Sequence, residues 1–263
     1  MLKRYVALAG FLLLSLSAFA QETSEKKTGR PDIPGTFVVD LGLNRMSDKP
    51  LGLDYGLWGS RTLNLYYQYD MRIGNSKFSF HPGIGLGNER FKMLSFQKYL
   101  PSDTVTRSNP TLIYDANGNT TFVEASRFIY DGDTLGTPDW SLTYETRKSM
   151  LVLSYLDIPL ELRFSVKPDD PARSFKIGVG ARFGYLIGSH TKLKYREDGE
   201  KKIMKVRDDF NLNPIRYGGF VKIYFGNFNM FTYVNLSTLF RDGRGPGGTD
   251  ATVYTIGLSL SSF

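Results

Sequence analysis

Eight segments of this chain alternate apolar and polar residues with a period of two, and the connections between them alternate long and short. The segments run 35–44, 61–72, 77–91, 148–164, 174–188, 214–226, 228–240 and 252–262, separated by about 16, 4, 56, 9, 25, 1 and 11 residues. Alternate residues of a strand point to opposite faces. In the stretch LSYLDIPLELRF this sets Leu156, Ile158, Leu160, Leu162 and Phe164 against Asp157, Pro159, Glu161 and Arg163. A soluble sandwich has no reason to sort its loops by parity, whereas an up-and-down membrane barrel places short turns on one side and long loops on the other. An even strand number returns the chain to the side where it began, and ten or more residues per strand suffice for a tilted crossing. The expectation is an all-β fold, an eight-stranded antiparallel up-and-down transmembrane β-barrel with long extracellular loops, its oily face toward lipid and its charges inside.

The first segment places Phe37, Val39, Leu41 and Leu43 opposite Asp40, Gly42 and Asn44, and the second sets Leu63, Leu65, Tyr67, Tyr69 and Met71 against Asn64, Gln68, Asp70 and Arg72. The fifth opposes Phe175, Ile177, Val179, Phe183, Tyr185 and Ile187 to Lys176, Gly178, Gly180, Arg182 and Gly184. Segment seven, NMFTYVNLSTLF, alternates ambiguously and leaves its outward face open. The inward charges are then Asp40, Asp70, Arg72, Asp157, Glu161, Arg163, Lys176, Arg182, Arg216 and Lys222, four acids facing six bases. Eight strands enclose a lumen that side chains can fill. Opposite charges in so narrow a space should pair into a salt-bridged plug, because unpaired buried charge is expensive; an ion pathway is the competing reading. Inward glycines (Gly83, Gly85, Gly178, Gly180, Gly184) leave room for long side chains from neighbouring strands.

Residues 1–20 carry Lys3 and Arg4, an apolar run from Tyr5 to Leu16 and small residues before Ala20, the pattern of a secretory signal peptide cleaved after Ala20. The run is too short for a membrane helix. Residues 21–34 read as a flexible periplasmic leader and 35–263 as the barrel domain. The chain has no cysteine, which excludes disulfides, thiolate metal sites and lipid attachment at a mature N-terminal cysteine. Without residues 1–20 there remain 31 basic and 26 acidic residues, a dispersed surplus of +5 that gives no nucleic-acid footprint.

The segments YLDIPLELR, FNLNPIRYGGFVKIYFGNFNMFTYVNLSTLF with its Arg-Tyr-Gly triplet, RDGRGPGG and TVYTIGLSLSSF resemble the PorT-like outer-membrane β-barrel family of Bacteroidota. The resemblance covers strands four and six to eight well and the long loops poorly. It implies location in the cell outer membrane, contact with outer-membrane lipids, lipopolysaccharide and the barrel insertion machinery, and, as in some relatives, assistance to secretion-system components. One departure concerns the C-terminal insertion signal. Phe263 fits it, but Ser261 and Ser259 stand where apolar residues are expected, and Leu260, Leu258 and Ile256 lie one residue out of step.

The longest loop carries turn signals at Asn117-Gly118 and Asp131-Gly132 between strand-like runs such as TLIY and TFVEA, which reads as hairpins projecting from the barrel. Asp131, Asp133 and Asp139 lack the closing glutamate of a calcium loop and read as turn residues, so no metal is expected. Lys192, Lys194, Arg196, Lys201, Lys202, Lys205 and Arg207 surround an Asp198-Gly199 turn. Such a ribbon either binds lipopolysaccharide phosphates or is a solvated hairpin whose charges prevent edge pairing.

Catalysis has little support in the pattern. His81 points inward and reads as a lumen hydrogen-bond partner, and Ser189 is a poor nucleophile for His190 because adjacent strand residues face opposite ways. GRGPGG lacks the lysine and the following helix of a phosphate loop. The leading expectation is a non-enzymatic envelope barrel without cofactor, acting in structure or interaction. A small conducting channel is the alternative, and a lipid A-modifying hydrolase a distant third.

Overall fold

The computed structural model describes residues 35–49, 53–56, 58–99, 105–125, 145–166, 175–197, 199–225 and 228–261. The expected signal peptide and leader, Asp131, Asp133, Asp139, Asp198 and Phe263 lie outside them. In chain order the strands are β1 (Thr36–Ser47), β2 (Leu53–Tyr55), β3 (Arg61–Gln68), β4 (Met71–Arg72), β5 (Phe78–Tyr99), β6 (Val105–Ser108), β7 (Pro110–Tyr114), β8 (Thr120–Glu124), β9 (Glu145–Ser165), β10 (Lys176–Glu197), β11 (Glu200–Arg207), β12 (Ile215–Phe225), β13 (Phe228–Asn235) and β14 (Thr252–Ser261).

Eight of these close a ring. β1 pairs β3, β3 pairs β5, β5 pairs β9, β9 pairs β10, β10 pairs β12, β12 pairs β13, β13 pairs β14, and β14 returns to β1, every pair antiparallel. Closure leaves the wall no free edge. β2, β4 and β6 extend β5, β11 extends β10, and β7 with β8 forms a separate hairpin.

The outer face is a continuous apolar band. Phe37 and Leu41 on β1, Leu65 on β3, Ile84 and Leu86 on β5, Ile158 on β9, Phe183 and Tyr185 on β10, Val221 on β12, Met230 on β13 and Ile256 and Leu258 on β14 are all exposed. Water would not tolerate a belt of this extent on a monomer; lipid covers it. The register of β13 resolves its ambiguous sequence. Asn229, Phe231, Tyr233 and Asn235 face in, while Phe228, Met230 and Val234 face out. Phe231 lies opposite Gly257 of β14 and close to Gly42 of β1, whose missing side chains give its ring room inside.

Strand count and parity agree with the sequence reading, and the edges differ. β5 and β10 run eight and nine residues past the ends expected at 91 and 188. Their charged upper halves look like loop in sequence because they stand clear of the apolar band and need no oily face. The hairpin of β7 and β8 folds over the mouth instead of projecting from it. Its Leu112 packs with Phe91, Leu151, Leu153, Phe210, Leu212, Leu239 and Phe240 into an apolar cluster at the long-loop end. Asn211 Nδ2 donates to Gly118 O at 2.8 Å, and Thr120 N donates to Arg244 O at 2.9 Å.

Candidate functional site

At the level of the apolar band the lumen is filled by charge. Asp40, Asp157, Glu161, Arg163, Lys176, Arg182, Arg216 and Lys222 are buried inside the ring, as the alternation predicts. Asp70 and Arg72 are not part of this buried set. They sit exposed at the short-turn mouth, because the wall strand ends at Gln68 and the chain there turns into the short β4. Glu89 belongs to the buried set and was missed, although it shares the parity of His81, Gly83 and Gly85 on β5. With Lys176 near the mouth, the central charges are four acids, Asp40, Glu89, Asp157 and Glu161, and four bases, Arg163, Arg182, Arg216 and Lys222.

These groups are joined. Arg216 donates to Glu89 and, at 2.7 Å, to Asp157 Oδ2. Lys222 Nζ donates to Asp40 at 3.0 and 3.3 Å. Arg163 Nε donates to Glu161 Oε1 at 3.1 Å, and the Tyr224 hydroxyl donates to the same oxygen. Arg182 has no carboxylate partner among the described residues. It donates to the Tyr66 hydroxyl at 2.7 Å and lies 3.5 Å from the centre of the Tyr233 ring, while Tyr66 donates to Asp157 at 2.9 Å. Arg216 likewise stacks 3.8 Å over Tyr155. Tyr66 carries the connection from Arg182 to Asp157, Tyr224 closes the Arg163–Glu161 pair, and Tyr155 and Tyr233 each lie under one arginine, roles that period-two reading does not show because tyrosine counts as apolar. Glycine makes the space: a side chain at Gly178 would strike Glu161, and one at Gly184 would strike Asp157 and Arg216.

A cavity of about 10 Å³ remains beside Asp40, Tyr66, Arg182 and Lys222. That is about the room one water needs. Above the charges, the apolar cluster under the β7–β8 hairpin forms a second layer across the mouth. Charge pairing and apolar packing thus fill successive levels of the same bore.

A second basic assembly lies outside the wall, just above the apolar band at the long-loop end. A register shift between Leu186 and Gly188 switches the parity of β10. Arg182 and Gly184 face in below it, whereas Thr191 and Leu193 are buried above it, so His190, Lys192 and Lys194 turn outward. Pairing then aligns like charges across strands. Arg61 lies opposite Arg90, His190 opposite Arg207, Lys192 opposite Lys205, and Lys194 opposite both Lys148 and Ile203. Lys92 and Lys192 flank Met150 from either side, and Met150 is buried under their stems. Of the seven ribbon cations expected from sequence, Lys192, Lys194, Arg196, Lys201, Lys205 and Arg207 share this face, and Lys202 pairs with Tyr195 on the other. Arg61, Arg90, Lys92 and Lys148 join them from other strands, a convergence that no local pattern reveals. Partial burial and the cations Lys194, Lys92, Lys192 and Arg90 hold the Lys148 ammonium below its usual range. Burial together with Lys205, Arg207, Lys192 and Arg90 depresses His190.

His81 faces inward near the short-turn mouth, hydrogen-bonded to Asp70 and Ser79. Ser189 donates to the carbonyl of Asp208 and not to His190. The GRGPGG segment is a turn between β13 and β14 with Gly243, Gly247 and Gly248 at positive φ. Among the described residues no three His, Asp or Glu side chains are grouped to hold a metal ion.

The family-model comparison agrees with this architecture. The family model described as outer membrane protein beta-barrel domain matches residues 19–240. No curated protein matches the chain. Among solved structures, Ail, the attachment invasion locus protein of Yersinia pestis, in complex with the heparin analogue sucrose octasulfate, is similar over 88% of this chain and 100% of that one, at 12% identity and TM-score 0.34. A mutant porin of Rh. blastica is similar over 87% and 98%, at 11% identity and TM-score 0.18. The closed eight-stranded ring, its apolar belt and the family match over most of its length place this chain in the outer membrane protein beta-barrel domain family, as a protein of the outer membrane.

Proposed function

We propose that this protein is a plugged envelope barrel whose work is interaction, and that its outer rim binds lipopolysaccharide phosphates. The observation that carries the reading is the alignment of like charges over adjacent strands immediately above the lipid belt: Arg61, Arg90, Lys92, Lys148, Lys192, Lys194, Lys205 and Arg207. Like charges directly opposite each other destabilise a sheet. Solubility alone would be served as well by mixed charge, whereas a polyanion at this height relieves the repulsion and gains charge-assisted hydrogen bonds. The long loops take the extracellular side, so the cations stand where outer-leaflet phosphates lie. A signal peptide and leader, as residues 1–34 read in sequence, would fit the same route of export.

The channel alternative fares worse, because paired charge and the apolar cap occupy successive levels of the bore. The PorT-like resemblance narrows the family further, and its implication of a role in protein secretion stands on that resemblance alone.

The test is binding of purified barrel in detergent to lipopolysaccharide and to the same lipid stripped of phosphate. The Lys92→Gln/Lys148→Gln/Lys192→Gln variant should bind intact lipopolysaccharide about tenfold more weakly, roughly 1.4 kcal/mol over three contacts. Binding should fall with salt, and phosphate-free lipid should not distinguish the two proteins. Equal affinity of wild type and variant for the intact lipid refutes the reading.

A further inference from the structure

At the opposite end of the barrel, three side chains form a linear hydrogen-bonded relay at the periplasmic mouth. Ser79 and His81 are two residues apart on β5 and therefore side by side on its inward face. Ser79 Oγ lies 2.7 Å from His81 Nε2, and His81 Nδ1 lies 2.6 Å from Asp70 Oδ1. Asp70 is itself fixed by Thr36, whose hydroxyl donates to Oδ2 at 2.9 Å. The chemistry of the relay is directional. A carboxylate at Nδ1 requires the proton on that nitrogen, so Nε2 of the neutral ring is an acceptor and the Ser79 hydroxyl donates to it. Nucleophile, base and orienting acid thus stand in order, in a linkage that identifies activated serines by geometry whatever the fold.

The relay opens on space. A cavity of about 250 Å³ at this mouth is lined by Ser79, His81, Asp70, Arg72, Arg163 and Lys176, among others. Ser79 lies directly opposite Arg72 of β4 on one side and Arg163 of β9 on the other, and Lys176 pairs with Ser165, two residues along β9. Cations around a serine hydroxyl stabilise an oxyanion and favour a negatively charged substrate.

We propose that Ser79 and His81 are the catalytic residues, and Asp70 the positioning residue, of a hydrolase site for small anionic carboxylic esters entering from the periplasm. Ser79 Oγ attacks the ester carbonyl carbon as His81 Nε2 takes the hydroxyl proton. The tetrahedral oxyanion collapses, the C–O bond to the alcohol breaks, and the alcohol leaves with the proton from His81. Water then attacks the acyl-serine, giving a proton to His81. Release of the carboxylic acid returns that proton to Ser79 Oγ, so one ester and one water become one acid and one alcohol. This activity goes beyond the interaction reading and departs from the expectation of a non-enzymatic chain, and it uses no residue of the outer rim.

The experiment uses the folded barrel in detergent, a fluorophosphonate probe, and two chromogenic esters, 4-nitrophenyl acetate and the mono-4-nitrophenyl ester of succinate. Wild type should be phosphonylated at Ser79, located by peptide mass spectrometry, and should hydrolyse the succinate ester faster. Ser79→Ala should abolish both. His81→Gln should lower the rate at least about a hundredfold. Asp70→Asn should lower kcat with KM unchanged, a split that general loosening of the mouth would not give. Lys176→Gln should raise KM for the succinate ester alone. Ser79→Ala removes only one oxygen and leaves the barrel heat-modifiable, so it decides the matter even where His81→Gln fails to fold. Equal hydrolysis by wild type and Ser79→Ala, or folded wild type left unlabelled at Ser79, overturns the proposal.

Discussion

Glu161 is fully buried and held by Arg163, the Tyr224 hydroxyl and, at 3.4 Å, the amide of Gln68. Removing it leaves Arg163 buried without its carboxylate, a change of about 3 to 5 kcal/mol where water is excluded. Glu161→Ala should therefore lower the unfolding midpoint in detergent. Adding Arg163→Met should cost less than the sum of the single changes, because the second removes the charge that the first stranded. Strict additivity in that cycle counts against a coupled plug. A different residue controls the cap. Asp209 accepts from Tyr114 at 2.7 Å, from the Asn211 amide at 3.1 Å and from Arg241 at 3.2 Å, and these partners, Tyr114 foremost, hold its carboxyl below the ordinary range. A depressed carboxylate adds stability above its unfolded pKa of about 4, and that stability is lost as pH falls through the lower folded value. Proteolysis within the β7–β8 hairpin should thus accelerate below about pH 4. Tyr114→Phe should move the onset upward, and an unchanged onset would show that Asp209 does not fasten the cap.

At the scale of the element, the register shift in β10 is the feature with the largest consequence. One extra residue near Gly188 lets Arg182 face the lumen and Lys192 face the outside on the same strand. A change of parity reverses every side chain beyond it. The chain has no cysteine, so introduced ones report cleanly. Lys192→Cys should react with a membrane-impermeant maleimide on intact cells while Thr191→Cys does not. Deletion of Gly188 should invert that pattern and weaken lipopolysaccharide binding. If both positions label alike with and without Gly188, the shift does not set the outward face. The same chemistry fixes orientation: Asn117→Cys and Gly199→Cys should label on intact cells, and Ser76→Cys in the turn before β5 should label only after lysis.

For the whole molecule, the bore is closed at two levels that meet at Tyr155, which packs in the apolar cluster and stacks over Arg216. Deleting residues 110–124 removes the hairpin and opens the apolar cap, yet the ion pairs of Arg216, Lys222 and Arg163 lie below it. The truncated barrel should still migrate as a heat-modifiable species from the outer membrane, and its conductance in planar bilayers should stay near that of wild type. Opening should require loss of both layers, as in the truncation combined with Glu161→Ala. Steady ion-selective current through the intact protein would instead support a channel.

Local alternation, a steric property of each strand, was enough to give the strand number, the lipid face and eight of the ten inward charges, since Asp157, Glu161 and Arg163 announce their side wherever the strand is placed. Loop parity added the up-and-down order. What depended on more than one strand was out of reach. The partnership of Arg216 with Glu89 joins residues 127 apart, and Tyr66 meets Arg182 across 116. The direction of Lys192 hangs on a register shift that leaves no mark in composition. His81 was legible as an inward histidine, and even its spacing from Ser79 is a sequence fact, but only closure of the ring and the turn after Gln68 bring Asp70 to its other nitrogen. Side-chain direction is set by neighbours along the chain, whereas partnership is set by register between strands, and register is fixed only when the whole sheet closes.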